Sequence, residues 1–181
     1  MARMKKLLLI VIAILPWSLM GQNLPHSTLF QYNHMMVNPG YAGMNDGITV
    51  NTVVRNQWMG FEGAPNTQNF NAHMPFKMFG ARHGVGLTLM NDEAGYETNI
   101  AIALNYAFQK EIADGKMGIG VGLGFASQSL NTTQWNAYSD ANDALVPTGD
   151  DQPIYFDLSL GGFYKTDNLY FGLSFVHLTQ P

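Results

Sequence analysis

The stretch "NIAIALNYAFQKEIADGKMGIGVGLGF", residues 99–125, decides the fold because strict alternation runs up to a short turn and resumes after it. Before the turn, large apolar side chains alternate with Asn and Ala; after the turn, they alternate with four glycines. A period of two places alternate side chains on opposite faces of a β-strand. Asp114-Gly115 within the turn favours a type I′ hairpin. The stretch therefore predicts two antiparallel strands, each with one continuous apolar face.

The same alternation recurs along the chain and predicts five more strands, which makes seven. The additional runs are ITVNTVVRNQW (48–58), NFNAHMPF (69–76), VGLTL (85–89), IYFDLSL (154–160) and LYFGLSF (169–175). In each run the apolar face rarely carries a charge, while the other face is Asn, Thr, Ser, Gly or charged. A soluble sandwich also alternates, but its solvent face usually carries many Lys and Glu.

The length of the runs favours a membrane. Several span about 9 to 11 residues, which is the length that a tilted transmembrane strand requires. Aromatic residues near the ends of the runs, such as Trp58 and Phe108, suit the girdle at a membrane interface. We therefore predict an all-β fold: an antiparallel transmembrane β-barrel of the bacterial outer membrane.

The connections predict how the barrel is oriented, because outer-membrane barrels have short periplasmic turns and longer outer loops. The predicted periplasmic connections are 77–83, 113–116 and 165–168. The predicted outer connections are 60–66, 91–97 and a long one near 130–153. The longest and least regular connection therefore falls outside.

Seven strands predict an incomplete barrel, since bacterial single-chain barrels have an even number of strands, from eight upward. We expect a fragment of a longer barrel, or a truncated gene product. The alternative is that residues 29–43 supply an eighth strand.

The chain divides into three parts. Residues 1–21 are predicted to be a signal peptide, because a positive start is followed by a short apolar run and by the small residue Gly21. Residues 22–47 have no clean period and are predicted to be an irregular segment. Residues 48–181 are predicted to form the β-barrel. This order predicts export to the outer membrane, with outer-membrane lipid as one partner.

Composition agrees with a structure that faces two solvents. Charged residues make up only 12% of the chain, against about 25% for an ordinary soluble domain, while the mean hydropathy is −0.04. The net charge is −4, so nothing favours nucleic acid as a partner. The chain has no cysteine, which excludes disulfides, thiol catalysis and cysteine-based zinc sites.

Motifs that carry chemistry are largely missing from the sequence. No H-x-x-x-H, H-E-x-x-H or G-x-S-x-G pattern occurs. The glycines of "GIGVGLG" alternate at period two without a following Lys-Ser/Thr, so they predict an inner strand face that lets another segment pack closely or lets the barrel bend. The acidic run at 140–151 lacks the central Gly and final Glu of a calcium loop. We therefore expect no enzyme, cofactor or metal site.

The stretch "MVNPGYAGMNDGITVNTVVRNQWMGFEGAPNTQNFNAHMPF", residues 36–76, resembles the start of the PorP/SprF family of type IX secretion system membrane proteins. That family shows an N-P-x-Y-A-G turn followed by R-x-Q-W-x-G-x-x-G-A-P-x-T-Q. The matching residues that we take as the family motif, structural or partner-binding, are Asn38, Pro39, Tyr41, Gly43, Arg55, Gln57, Trp58, Gly60, Gly63, Pro65, Thr67 and Gln68.

The resemblance spans about residues 24–181 and implies a non-enzymatic outer-membrane barrel that assists protein export. It implies type IX machinery and exported cargo, including gliding adhesins, as partners. The alternative function is an outer-membrane channel for small or hydrophobic solutes. The inner faces carry Gly, Ala and Asn with few charges, which disfavours an ion-selective pore.

Arg55 shares a predicted face with Asn51 and Gln57, so we expect its side chain to point into the lumen. There it would meet a polar group of the "NPGYAG" segment, residues 38–43, tucked inside the barrel. On this interpretation the motif is architectural and holds the N-terminal segment against the first hairpin.

Overall fold

The computed structural model describes residues 30–130 and 153–179, and these form one antiparallel sheet of seven strands arranged in chain order. The strands are β1 Thr49–Asn56, β2 Asn66–Met78, β3 Ala81–Ala94, β4 Glu97–Ile112, β5 Gly115–Leu130, β6 Ile154–Lys165 and β7 Tyr170–Phe175. The sheet curls into a half-barrel with β1 and β7 at its two edges. The predicted fold is confirmed: all seven strands are present and pair antiparallel with their neighbours.

Alternation decides which face of the sheet each side chain occupies. On β4, Ile102 and Leu104 point outward and are exposed, whereas Asn105, Ala107 and Gln109 point inward and are buried. The other strands largely follow the same rule, with Asn, Thr or Gly inside and large apolar residues outside. Phe163 of β6 is an exception, since it points inward and is buried. On β2, His73 lies on the inner face with Asn69 and Asn71, and all three are buried.

The central strands are longer than their apolar runs. Strands β4 and β5 each have 16 residues, because pairing continues on polar side chains beyond the apolar band. Thr67 donates to Asp92 over 2.5 Å, and Glu97 accepts from Gln128 over 2.6 Å. The outer connection expected at 91–97 is therefore shorter: Ala94 pairs with Glu97, which leaves a two-residue turn.

The hairpin turn between β4 and β5 is one residue earlier than predicted. Ile112 pairs with Gly115, so the turn is Ala113-Asp114 and not Asp114-Gly115, and Ala113 takes a φ of +52°. Gly115 is needed inside the strand, because a Cβ there would come within 2.6 Å of the Tyr164 ring. Packing against β6 outweighs the turn preference of Asp-Gly.

Before β1 the chain forms short helical turns instead of an eighth strand. A 3-10 helix covers Phe30–Tyr32, helix α1 covers His34–Val37, and a second 3-10 helix covers Pro39–Tyr41. The alternative of a strand at 29–43 is therefore wrong for residues 30–43, because Asn38-Pro39 favours a turn and Asn38 caps the second 3-10 helix. Within the described residues, no helix has the length and apolar character needed to cross a membrane.

Three turns lie at one end of the sheet, which we call the short-turn end: Phe79-Gly80, Ala113-Asp114 and residues 166–169. They correspond to the connections predicted to be periplasmic. The loop 57–65 lies at the opposite end, as do the last residue of β5 and the first residue of β6. The predicted signal peptide at 1–21, most of that connection and the acidic run at 140–151 lie outside the described residues.

Candidate functional site

The inner face of the half-barrel holds the chain's own N-terminal segment, which we define as residues 33–46. The apolar core lies between the segment and the sheet. It consists of Met35, Tyr41, Ala42, Met44, Ala107 and Phe163, all less than 9% exposed. The segment therefore takes the place that a solute would need inside the curl.

Glycines on three strands allow the backbone of the segment to lie directly on the sheet. We call this surface the glycine floor; its members are Gly84 on β3, Gly118 and Gly120 on β5, and Gly161 on β6. A Cβ at Gly84 would overlap the carbonyl of Ala42, and one at Gly120 would overlap the carbonyl of Pro39. The glycine-lined face thus permits close packing, one of the two roles expected from the sequence.

Asn38 fastens the segment to the last two strands. Its Oδ1 accepts a hydrogen bond from Gly40 N at 2.9 Å, which shapes the turn. Its Nδ2 donates to the carbonyls of Gly162 at 3.0 Å and Leu173 at 3.2 Å. One side chain therefore sets the local conformation and joins β6 and β7 to the segment.

Polar side chains of β2, β3 and β4 bind the backbone that follows. Gly43 N donates to Nδ1 of His73 at 3.1 Å, and Gln109 Nε2 donates to the carbonyl of Ala42 at 2.6 Å. Arg82 Nη2 donates to the carbonyl of Asn45 at 2.8 Å, while its Nε donates to Gln109 at 2.8 Å. Buried backbone groups of the segment are satisfied in this way, as burial demands.

Arg82, not Arg55, is the arginine that holds the segment, so the expected pairing of Arg55 is wrong for the described residues. Arg55 does lie on the inner face, but it pairs with Thr67 near the loop end. The segment instead contacts the part of β2 around His73, which pairs with Thr49 at the start of β1. Arg55 therefore lies six residues beyond Thr49 on β1, away from the segment.

An ion-pair cluster closes the segment at the short-turn end. Asp46 contacts Lys116 at 2.7 Å and Arg82 at 2.8 Å. The hydrogen bond from Lys116, and next the one from Arg82, lowers the pKa of Asp46 below its ordinary value. Its contribution to stability is present above the unfolded pKa of about 3.9 and is lost as the pH falls through the lower folded pKa. Because Asp46 is exposed, this contribution is small.

At its other end, the segment is held by hydrogen bonds between asparagine side chains. Asn33 Nδ2 donates to Asn69 Oδ1 at 2.7 Å, and Asn71 donates to the same oxygen. All three side chains are at most 4% exposed. Tyr41, midway, packs edge-on against Phe163 with ring centroids 4.9 Å apart.

The family-motif residues fall into two separate groups. Those of the segment (Asn38, Pro39, Tyr41 and Gly43) lie on the inner face, whereas the group from Arg55 to Gln68 lies at the loop end. There Gln57 N bonds the Pro65 carbonyl at 2.9 Å, Gly63 accepts from Gly95 N at 2.9 Å, and Gly60 and Gly63 have positive φ. The loop 57–65 leaves the side chains of Trp58, Met59 and Phe61 exposed to 68%, 80% and 77%.

Sequence reasoning missed Arg82 and Gln109, which pair across β3 and β4. Both occupy alternate positions that point inward on their strands, but they lie outside the apolar runs that were used to predict those strands. Extending the alternation past the apolar run would have placed Gln109 on the inner face. Among the described residues, no group of three or more His, Asp or Glu is arranged to hold a metal ion.

A curled antiparallel sheet with an apolar outer face and a polar, filled interior defines a β-barrel type of membrane protein. A family model described as type IX secretion system membrane protein PorP/SprF matches residues 19–181. The chain belongs to this family. Comparison with curated proteins and with solved structures gave no match.

We predict that Gly120→Ala loosens the segment from the sheet. The added Cβ meets the Pro39 backbone, and overpacking of this kind typically costs about 1 to 3 kcal/mol. Gly122→Ala on the same face is the control, because the nearest atom there is the movable amide end of Asn105 at 2.7 Å. Limited proteolysis should cut the segment faster in Gly120→Ala; equal rates in the two variants would contradict the glycine floor.

We predict that Arg82→Ala frees the segment, whereas Arg55→Ala does not. Arg82 donates to the carbonyl of Asn45 in the segment, and a hydrogen bond to a charged group contributes about 1.5 to 3 kcal/mol. Its contact with the exposed Asp46 adds little. Proteolytic release of residues 33–46 from the folded protein measures the difference. A faster release in Arg55→Ala than in Arg82→Ala would show that the arginine assignment is wrong.

Proposed function

We propose that the chain is a non-enzymatic outer-membrane component of the type IX secretion system. On this proposal, the signal peptide at 1–21 directs its export, and the folded half-barrel assists the export or surface attachment of cargo proteins such as gliding adhesins. Membership of the PorP/SprF family supports the secretion system, and the apolar outward face of the sheet suits a bilayer.

The filled inner face is the observation that carries this proposal. Backbone-to-backbone contact on the glycine floor leaves no path along the part of the interior that the segment covers. On this proposal, protein partners bind at the two ends of the sheet. A channel for small or hydrophobic solutes, the alternative function, is less well supported because the segment occupies the interior.

Each end of the sheet offers a different surface to a partner. At the loop end, the loop 57–65 projects large apolar side chains, and its backbone is fixed by the bonds of Gln57 and Gly63. At the short-turn end, a polar pocket of about 470 Å³ is lined by Asp46, Lys116, Lys165 and Asp167, among others. We assign exported cargo to the loop and the type IX machinery to the polar pocket.

We predict that Leu123→Arg prevents the protein from accumulating in the outer membrane. Leu123 points outward and is 49% exposed, and an arginine near the bilayer midplane costs about 2 to 4 kcal/mol on a lipid-facing strand. Leu123→Phe keeps the surface apolar and should accumulate like the wild type. Membrane fractionation with heat-modifiable gel mobility gives the amount of folded protein; equal amounts of the two variants would refute a lipid-facing position.

A tagged chain tests the proposed function by pull-down from detergent-solubilised outer membranes, with co-purifying proteins identified by mass spectrometry. The wild type should recover type IX components together with cargo. We predict that the double variant Trp58→Ser, Phe61→Ser recovers several-fold less cargo but unchanged amounts of machinery, because both side chains are exposed and their loss spares the fold.

Phe79→Ser is the matched control for this experiment, because Phe79 is an exposed aromatic residue, at 95%, at the short-turn end. Cargo recovery should be unaffected by it. If the wild type recovers no type IX component, the proposed function is wrong. If Phe79→Ser and the loop variant lose cargo equally, the assignment of cargo to the loop is wrong.

A further inference from the structure

The outward face of β5, β6 and β7 contains a groove centred on Gly162. The groove has a volume of about 510 Å³, and its walls are apolar side chains of the three strands. Gly162 lies between Ile119 on β5 and Leu173 on β7, which are its register partners. Two outward-facing sets of register partners across β5, β6 and β7 lie on either side of Gly162, and both consist of large side chains. One set is Val121, Leu160 and Phe175; the other is Met117, Tyr164 and Phe171.

Neither backbone conformation nor close packing requires a glycine at position 162. Its φ is not in the left-handed region, and a Cβ built there would have no atom within 4 Å. The carbonyl that Asn38 binds would be present with any residue. Gly161 differs, since a Cβ there would overlap the Asn38 side chain. The missing side chain at 162 therefore leaves an open notch in a surface that is otherwise covered.

Polar groups lie at the end of the groove nearest the short-turn end. Lys110 on β4 points outward, is exposed and pairs with Met117, which in turn pairs with Tyr164. Lys110 and Tyr164 therefore flank Met117 on the outward face, beside the turn Ala113-Asp114. The Lys110 ammonium at this depth suits a phosphate group, because charge-assisted hydrogen bonds to phosphate are strong. The Tyr164 hydroxyl donates to the carbonyl of Ile112 over 3.4 Å, a long hydrogen bond that a phosphate oxygen would replace.

We propose that this groove binds one phospholipid, with an acyl chain in the Gly162 notch and its phosphate at Lys110 and Tyr164. This inference rests on the proposed location in the outer membrane. The groove is continuous with the apolar outward face, so a bilayer lipid meets it without entering the interior. It also lies in the half of the sheet next to the short-turn end, the predicted periplasmic side, where the leaflet consists of phospholipid.

The test compares retained lipid in the full-length purified chain after exchange into mild detergent, by native mass spectrometry with added phosphatidylethanolamine. The wild type should retain one phospholipid per chain. Gly162→Leu fills the notch and should reduce occupancy by at least about tenfold, since every CH₂ displaced from apolar contact weakens binding. Lys110→Glu should also lower occupancy, because it places an anion beside the phosphate.

Ala72→Leu is the matched control, because it places the same leucine side chain at a small outward position on β2, away from the groove. It should retain lipid as the wild type does. Equal occupancy in Gly162→Leu and the wild type would overturn the proposal, as would a second copy of the chain or a lipopolysaccharide molecule in place of the phospholipid.

A second measurement keeps the proposal testable if Gly162→Leu does not fold. Because the chain has no cysteine, Gly162→Cys and Ala72→Cys each carry one site for a bimane label. Phospholipid with brominated acyl chains should quench the label at 162 more strongly than the label at 72, and equal quenching would overturn the site. Neither measurement involves export, so the result of the lipid test does not depend on the result of the pull-down.

Discussion

The direct contact between the backbone of the N-terminal segment and the glycine floor is the constraint on which the rest of the structure depends. Side chains on Gly84, Gly118, Gly120 or Gly161 would lift the segment off the sheet. At that close distance, the carbonyls of Ala42 and Asn45 come within reach of Gln109 and Arg82. The apolar core exists for the same reason, since it forms between the segment and the inner face.

The two faces of the sheet contact different surroundings. On the inner face, His73, Arg82 and Gln109 bind the backbone of the chain's own segment. The outward face presents a mainly apolar surface, in which Gly162 leaves a notch. On the proposed function, other proteins bind at the ends of the strands, at the loop 57–65 and at the charged groups around Asp46.

Alternation was enough to predict the strands and their faces, because a period of two is a direct consequence of strand geometry. It was not enough to predict where the strands end, since the polar pairs of Thr67 with Asp92 and of Glu97 with Gln128 extend them. The position of the β4–β5 turn depends on Gly115 packing against Tyr164, a contact between strands that no local pattern reveals. Arg82 and not Arg55 binds the segment because the segment lies beside the part of the strands that carries Arg82, a position that the sequence pattern does not reveal.

The bonds of Asn38 have a consequence for the order of folding. They join Asn38 to residues 124 and 135 positions further along the chain. Contacts between residues so distant in sequence form slowly, because closing a long loop costs entropy. Both bonds of Asn38 Nδ2 can exist together only when β6 and β7 are paired in register, so the contacts of this one side chain depend on correct assembly of the last two described strands.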